Sequence, residues 1–261
     1  SFFTEVTGGD FTEKMRITSA GNVGIGTASP IDRLHIVGDD GGTGRTTHQA
    51  NAQVIIENNG DAALVFSGCN TDVGVIQWDD VDAVSQGSIY YSHATDAMVF
   101  GTADGQRMVI DCSGAVTKPT TPAFLVQDTT QNLNVTGDGT HWIVPYSTEI
   151  FDQGGDMGTC LFTAPVTGRY LFTVQSGPNG IGAGMTYTYL NLYTSNRNYT
   201  NNINQCAAAV SGGYASNSLT VIADMDAADT ACTIVVVSGG TKTVNIGGNA
   251  DYFWWSGALI A

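Results

Sequence analysis

Residues 149–174 have the sequence EIFDQGGDMGTCLFTAPVTGRYLFTV, and this stretch decides the fold. An apolar run ends at Pro165, which cannot donate a hydrogen bond to a neighbouring strand and therefore suits the end of one. Thr167 and Gly168 then favour a turn. Because side chains alternate along a strand, the apolar residues after the turn share one face; they are Tyr170, Phe172 and Val174. This corner predicts a strand that crosses from one sheet of a β-sandwich to the other.

The same corner carries a family resemblance. The spacing of its aromatic residues and its glycine resembles the signature of the C1q/tumour-necrosis-factor-like jelly roll. Residues 219–237 (LTVIADMDAADTACTIVVV) look like that family's strand, acidic turn and strand, and residues 251–260 (DYFWWSGALI) look like its last strand. The three motifs occur in the family's order within residues 123–261. The resemblance implies a jelly-roll head that assembles as a homotrimer.

The composition is typical of an all-β protein. The 261 residues include 33 glycines and only 13% charged residues, and no stretch has sustained helical periodicity. The net charge of −15 comes from 24 acidic and 9 basic residues. This acid excess argues against nucleic acid, which binds basic surfaces, and against docking on anionic lipid. No apolar run approaches the ~18 residues of a membrane span, so we expect no membrane insertion.

The sequence contains no recognisable catalytic or zinc-binding pattern. The cysteines are Cys69, Cys112, Cys160, Cys206 and Cys232; their odd number and the absence of CxxC spacing favour free thiols inside strands over disulfides or a zinc site. The four histidines are scattered, and no GxSxG-type nucleophile motif occurs. Asp152 and Asp156 could be a glycosidase pair, but a solvated turn is the favoured interpretation. We therefore predict that the protein is not an enzyme.

Residues 13–30 have the sequence EKMRITSAGNVGIGTASP, and a short LHI strand follows at 34–36. This segment resembles the recurring segment of bacteriophage tail-fibre and other virion-fibre proteins, with Lys14 where arginine is usual. The resemblance implies a fibre on the virion tail or another surface appendage, extracellular when it functions. It also implies that other virion tail or capsid proteins join the chain on its N-terminal side.

Residues 105–116 (GQRMVIDCSGAV) repeat part of this frame, with Met108 aligned on Met15. Short alternating runs separated by Gly, Asn and Asp turns lie between the copies, at 53–57, 62–66, 73–78, 88–91 and 98–100. These strands are too short to bury a good core within one chain, and their exposed edges favour pairing with another copy. Three chains around one axis would cover the edges, so we expect a homotrimeric β shaft.

The chain therefore divides into an N-terminal fibre segment (1–37), a β-rich shaft (38–118), a linker (119–122) and a jelly-roll head (123–261). Two prolines stiffen the linker and prevent a continuous sheet across it. The predicted fold class is all-β, with an N-terminal trimeric shaft of short strands followed by a C-terminal C1q/TNF-like jelly-roll β-sandwich.

The last strand of the head is apolar on both faces, whereas a half-exposed strand normally has one polar face. One face has Phe253, Trp255, Gly257 and Leu259, and we assign it to the core. The other face has Tyr252, Trp254, Ala258 and Ile260, which we predict to form the contact between the subunits of the trimer. A strand buried on both sides within a single chain is the alternative.

Two acidic clusters could bind calcium through carboxylate oxygens. The first contains Asp79, Asp80 and Asp82, and the second contains Asp224, Asp226 and Asp229. Neither matches an EF-hand loop, and ordinary turns are the favoured interpretation. We therefore expect no cofactor. Calcium binding at the second cluster is kept as an alternative, because some members of the resembled family carry a calcium on the trimer axis.

An aromatic and amide-rich region is the candidate receptor-binding surface. Tyrosine rings can stack on sugar faces and amides can hydrogen-bond sugar hydroxyls. Residues 186–193 predict a strand whose tyrosines belong to the core or to an interface, and residues 195–204 predict a loop. The candidate receptor-binding residues are Tyr193, Asn196, Arg197, Asn198, Tyr199, Asn201 and Asn202.

The leading functional hypothesis is the distal part of a virion fibre whose head attaches to a host-surface glycan or protein. A second hypothesis is a purely structural capsid or tail decoration whose head only terminates and registers the trimer. A third is a secreted bacterial C1q-like adhesin or lectin. A fourth, a polysaccharide depolymerase, has little support, because no C-terminal self-cleaving chaperone is recognisable.

Overall fold

The computed structural model describes residues 2–5, 11–26, 28–30, 33–36, 64–204 and 213–261. Every element whose bounds are given below is a β-strand. The chain divides into two compact units, Ser1–Ser67 and Gly68–Ala261. The predicted boundary at 119–122 differs from this division and stays a prediction of where the head begins.

The described residues of the first unit form a four-stranded sheet. Its strands are β1 (Phe2–Glu5), β2 (Phe11–Ile17), β3 (Val23–Ile25) and β4 (Leu34–Ile36), in that order across the sheet. The first three are antiparallel, whereas β4 runs parallel to β3 with Val23 opposite Leu34. The strands predicted at 23–25 and 34–36 are therefore present.

The second unit begins with a five-stranded antiparallel meander, the shaft sheet. Its strands are β5 (Val73–Trp78), β6 (Gly87–Ser92), β7 (Ala97–Thr102), β8 (Gly105–Ile110) and β9 (Val116–Thr117). Three of the short strands predicted for this region are present. The predicted strand at 53–57 lies outside the described residues, and the described part of the one at 62–66, residues 64–66, is exposed and is not a strand.

The sequence repeat corresponds to a repeated turn. The equivalent positions are Ile17 and Ile110, Thr18 and Asp111, Gly21 and Gly114, Asn22 and Ala115, and Val23 and Val116. In each copy the first turn residue donates its amide hydrogen to the carbonyl of the fifth, over 2.9 Å and 3.0 Å. The two glycines have φ of 83° and 86°, and the flanking strands pair in the same register. Glycine is favoured at both positions because this left-handed conformation strains residues that have a Cβ.

The described residues of the head form two main sheets. Its strands are β10 (Ala123–Gln127), β11 (Asn132–Thr136), β12 (His141–Ile143), β13 (Thr148–Gln153), β14 (Phe162–Thr163), β15 (Gly168–Ser176), β16 (Tyr187–Thr194), β17 (Asn198–Asn204), β18 (Asn217–Met225), β19 (Thr230–Ser238), β20 (Val244–Ile246) and β21 (Trp254–Leu259). Sheet I has the order β13-β10-β21-β15-β18, and sheet II has the order β12-β19-β16-β17 with β14 also paired to β19. Apart from the β16–β17 hairpin, the chain crosses between the sheets at nearly every connection of main strands, which is a jelly roll.

The predicted corner is confirmed. Strand β14 pairs with β19 in sheet II, whereas β15 pairs with β18 and β21 in sheet I, so the chain changes sheet between Thr163 and Gly168. The hydroxyl of Tyr170 donates to the carbonyl of Val166 over 2.8 Å and ties the corner to the strand that follows. The crossing brings the aromatic residues of the corner into the space between the sheets.

An aromatic cluster fills that space. Its members are Phe124, Phe162, Tyr170, Phe172 and Trp255, all fully or almost fully buried. The ring centroids of Phe124 and Trp255 are 4.9 Å apart, and those of Phe124 and Phe162 are 5.1 Å apart. A Cβ at Gly257 would lie 2.5 Å from a ring carbon of Phe124, so only glycine fits beneath the rings. The predicted core face of the last strand is thereby confirmed.

The cysteine prediction was partly wrong. Cys69, Cys112, Cys160 and Cys232 are free thiols, as expected, but only Cys232 lies in a strand. The other three lie in loops or turns, where no ladder pairing constrains them. Cys206 lies outside the described residues.

A buried carboxylate sits where β10 leaves sheet I. Asp128 is fully buried, and its oxygens accept hydrogen bonds from the Thr130 amide at 3.1 Å, the Ser147 hydroxyl at 3.3 Å and the Asn132 side chain at 3.3 Å. Burial raises the pKa of Asp128, and the hydrogen bonds from Thr130 and Ser147 offset part of that rise. Its environment therefore favours the protonated acid more than water does.

This raised pKa predicts a pH-dependent stability difference between the wild type and Asp128→Asn. The folded wild type binds the proton more tightly, so its extra stability is present below the unfolded aspartate pKa of about 3.9 and is lost as pH rises through the folded value. We expect urea denaturation between pH 3 and 7 to show the wild type losing stability relative to the variant as pH rises. Parallel stability curves would contradict the assignment.

Candidate functional site

The outer side of sheet II carries a row of tyrosines. On β16, Leu190 and Leu192 are fully buried in the core, so the alternating positions of this strand face outward. These outward positions include Tyr187, Tyr189 and Tyr193, all of them half-buried. The rings of Tyr187 and Tyr189 have centroids 4.4 Å apart with an interplanar angle of 31°. The row therefore presents packed rings with part of their surface exposed to solvent.

Amide side chains flank the row on the neighbouring strand. Asn198 lies opposite Tyr193 and Asn202 lies opposite Tyr189 across the β16–β17 pair, and both asparagines are exposed. Between them, the Thr200 hydroxyl donates to the side chain of the buried Asn191 over 2.7 Å. We call this outer side of sheet II, with its tyrosines and with Asn198 and Asn202, the tyrosine face.

The structure corrects the predicted loop at 195–204. Most of it is strand β17, so its side chains alternate between the two sides of sheet II. Tyr199 packs against the core, and burial raises its pKa. Asn201 donates to the Asn217 side chain at 2.7 Å and to the Ser218 carbonyl at 2.6 Å, which ties β17 to β18 of the other sheet. These two candidates therefore support the fold instead of lining the tyrosine face.

Asn196 and Arg197 lie in the turn between β16 and β17. The Asn196 side chain donates to the Asp224 carbonyl over 3.0 Å, and the Arg197 guanidinium donates to the Asp224 carboxylate over 2.6 Å. All three residues are exposed. One residue predicted to contact receptor is thus ion-paired with one predicted to bind calcium, so both side chains are engaged within the chain.

The other predicted calcium ligands form a turn. The Asp226 amide donates to the Asp229 carboxylate over 2.7 Å, and the Asp229 amide donates to the Asp226 carbonyl over 3.0 Å. No group of three acidic, histidine or cysteine side chains in the described part of the chain could hold a metal ion. Calcium binding by Asp224, Asp226 and Asp229 therefore remains a prediction, and the arrangement of these side chains does not support it.

Other acidic candidates also have structural roles. The Asp152 carboxylate accepts the amide hydrogens of Asp156 at 3.2 Å and Met157 at 2.9 Å, which organises the Gly-Gly turn between them. Burial, and then the nearby charge of Asp152, raise the pKa of Asp156. Asp79 and Asp80 likewise accept backbone amides of their own loop.

The outer side of sheet I, which we call the apolar face, contains the predicted subunit contact. Trp254 is half-buried between Gln127 and Gln175, and Ala258 lies between Ala123 and Leu171. Leu171 lies opposite Ile222 on the next strand, and these two are 38% and 55% exposed. Tyr252 and Ile260 lie just beyond the two ends of β21 and are exposed as well. Several large apolar side chains thus face solvent on one sheet of the monomer.

Sequence reasoning missed Tyr187 and Tyr189 as surface residues. Their strand was predicted, but the prediction did not decide whether the tyrosine side chains belong to the core or to an interface. The signal was present in the alternation, because Leu190 and Leu192 are the better core residues and place the intervening tyrosines outside.

No family model and no curated protein sequence matches the chain. Among solved structures, the chain is similar to the globular domain of zebrafish complement 1qA protein, with 16% identity over 54% of this chain and 98% of that chain and a TM-score of 0.37. It is also similar to murine APRIL: the pH 5.0 crystal structure has 9% identity over 54% of this chain and 99% of that chain, with a TM-score of 0.39. These values transfer no function. The jelly roll of the head is established by its own strand order. Within the described ranges, no helix has the length and apolar character of a membrane span.

Proposed function

We propose that the chain is the distal part of a virion fibre, extracellular when it functions, and that its head attaches to a glycan on the host surface through the tyrosine face. The observation that carries the binding role is the row of half-exposed tyrosines flanked by exposed asparagines on sheet II. The fibre role is supported by the resemblance of residues 13–36 to virion-fibre segments. The repeat of its turn at residues 111–115 adds to that support.

The tyrosine face has the chemistry of saccharide recognition. Exposed ring surface at Tyr189 and Tyr193 can stack on the apolar face of a sugar, while the amides of Asn198 and Asn202 donate to and accept from hydroxyls. Packing between Tyr187 and Tyr189 restricts both rings, so little side-chain entropy remains to be lost on binding. This is a binding function, and none of its steps requires a catalytic group.

We further propose that the apolar face of sheet I mediates self-association as a homotrimer. Leu171, Ile222 and Trp254 would leave solvent when copies pack around one axis, and closed cyclic symmetry satisfies every copy equally. The proposal gives the two sheets separate roles, with sheet I turned toward other copies and sheet II available to the host. Other virion tail or capsid proteins would join at the N-terminal side.

The neighbouring residues Asn201 and Asn202 test the receptor proposal, because their side chains lie on opposite sides of sheet II. We expect Asn202→Ala and Tyr189→Ala to reduce binding of the labelled full chain to an array of bacterial surface glycans by about tenfold or more, because each removes a contact on the tyrosine face. Thermal unfolding of Asn202→Ala should match the wild type, whereas Tyr189→Ala should unfold at a somewhat lower temperature because it loses its packing on Tyr187. Asn201→Ala is the matched control, since it should lower stability by about 1–3 kcal/mol through its two lost hydrogen bonds while the folded fraction still binds.

Three outcomes would redirect the proposal. Absence of glycan binding by the wild-type chain, together with normal host adsorption by Asn202→Ala and Tyr189→Ala, would favour the purely structural decoration. A secretory signal peptide in the full-length gene would favour the bacterial adhesin. Release of reducing ends from a capsular glycan would favour a depolymerase.

A further inference from the structure

One side of the shaft sheet forms a groove with a volume of about 400 Å³. Its walls and floor include Val73, Val75, Gln77, Ser88, Tyr90 and Gln106. These residues come from β5, β6 and β8, and they meet on one side because opposite residues in the antiparallel ladder point the same way. A groove of this size is within the range of sites that bind small molecules.

Polar groups in the groove are held in place, but they keep hydrogen-bond donors and acceptors available for a ligand. The Gln106 side chain donates to the Tyr90 hydroxyl over 2.8 Å, which leaves the tyrosine proton and the glutamine carbonyl for a ligand. Ser88 makes no side-chain hydrogen bond to any residue that the structure describes. A Cβ at Gly101 would lie 2.6 Å from the Ser88 hydroxyl, so this glycine leaves room for it.

The charge of the groove restricts the class of ligand. Among the described residues that line it there is no lysine or arginine, which argues against phosphate, sulfate or an acidic peptide. Asp104 is the one acidic residue in the part of the lining that the structure describes, and a single carboxylate is too few for a divalent cation. Val73 and Val75 are exposed and present apolar surface between the hydroxyl and amide groups. Hydroxyls, amides and an apolar floor together suit a neutral ligand rich in hydroxyl groups.

One end of the groove is formed by the β7–β8 turn and by the loop that precedes β6. Ser85 and Asp104 both line it and have φ of 60° and 56°, and Ala103 beside them has φ of 49°. Ala103 and Asp104 are the two central residues of the β7–β8 hairpin, and a two-residue turn of this kind requires positive φ at both. The Asp104 amide donates to the Ser85 carbonyl over 3.2 Å, and the Ala103 amide donates to the Gln86 carbonyl over 2.8 Å. These bonds lock the β5–β6 connection against the β7–β8 turn.

We propose that this groove is a second binding site, for a short neutral saccharide. The Tyr90–Gln106 pair and Ser88 hydrogen-bond its hydroxyls, and Val73 and Val75 contact its C–H face. The site is separate from the tyrosine face in sequence and in sheet, so it does not depend on the proposed role of the head. The chain would then contact glycan along the shaft as well as at the head.

The test uses the full chain with Tyr189→Ala and Asn202→Ala already in place, so that glycan contact at the head does not contribute. The probes are glucose, galactose, mannose, N-acetylglucosamine and their disaccharides, measured by saturation-transfer NMR and titration. We expect at least one neutral sugar to bind. We expect Tyr90→Phe and Gln106→Ala each to weaken its binding about five- to tenfold, the loss typical of one or two neutral hydrogen bonds.

Tyr91→Phe is the matched control, because Tyr91 is on the opposite side of the sheet and donates to Asp96 over 3.0 Å. It should leave sugar binding unchanged. Gly101→Val should block the groove, and equal thermal unfolding temperatures for Tyr90→Phe and the wild type would show that the fold is intact. Absence of binding by every probe at millimolar concentration, or binding that Tyr90→Phe and Gln106→Ala do not change, would overturn the proposal.

Discussion

Replacing Trp255 by alanine is expected to lower the free energy of unfolding of the head by about 3–5 kcal/mol, the usual cost of removing a buried aromatic side chain. Trp255 is completely buried, and its ring centroid lies 4.9 Å from that of Phe124, 5.7 Å from that of Tyr146 and 5.8 Å from that of Phe172. Phe124 and Phe172 lie on β10 and β15, the two strands that flank β21 in sheet I, and Tyr146 lies in the connection between β12 and β13. Because these neighbours come from three separate segments, no single segment can move to fill the cavity. The loss should therefore approach the upper part of the range.

The adjacent Trp254 supplies the control. It has the same side chain on the same strand, but it faces the outer side of sheet I and is only half-buried. Urea denaturation followed by circular dichroism should show a much smaller change for Trp254→Ala than for Trp255→Ala. Both variants are best compared in a monomeric background, such as the one described next, so that association does not contribute. Equal losses for the two tryptophans would contradict the assignment of one face to the core.

Replacing Leu171 by aspartate is expected to convert the proposed trimer, of roughly three times 27.3 kDa, into a monomer in light scattering. Leu171 lies near the middle of the apolar face, between Ala258 and Ile222, and is 38% exposed in the monomer. A carboxylate placed there stays hydrated in the monomer, but it would lose most of its water in the trimer contact. That desolvation costs several kcal/mol and would occur in every copy.

Leu133→Asp is the matched control for this assembly test. Leu133 is 61% exposed on β11, outside both main sheets, so a carboxylate there should leave the native mass unchanged. Thermal unfolding of the Leu171→Asp monomer should remain cooperative, because its side chain points away from the core. A wild-type chain that is itself monomeric would remove the proposed role of the apolar face, while the glycan-binding proposals would still be tested by their own variants.

The candidate site shows where sequence reasoning stops. A strand has period two, so the alternation at β16 contained the signal that places Leu190 inside and Tyr189 outside, although the prediction assigned these tyrosines to the core or to an interface. For residues 195–204 the sequence is polar at almost every position, so no alternation was visible and the segment was predicted as a loop. Asn201 and Asn202 are chemically identical, and only their position in the β17 ladder separates a structural amide from an exposed one. Pairing of Arg197 with Asp224 joins two distant segments and left no local signal.

By itself, the sequence determined the all-β class, the corner after Pro165, the core face of the last strand and the repeated turn. Each of these depends on local chemistry: the missing amide hydrogen of proline, the period of a strand, or the conformational freedom of glycine at 21 and 114. The tertiary structure alone decided the strand order, the burial of Asp128, the groove beside Tyr90 and the separate outer faces of the two sheets. These features arise from contacts between residues far apart in the chain. Hydrophobic burial drives such contacts, but it is non-directional and does not specify which strand lies beside which.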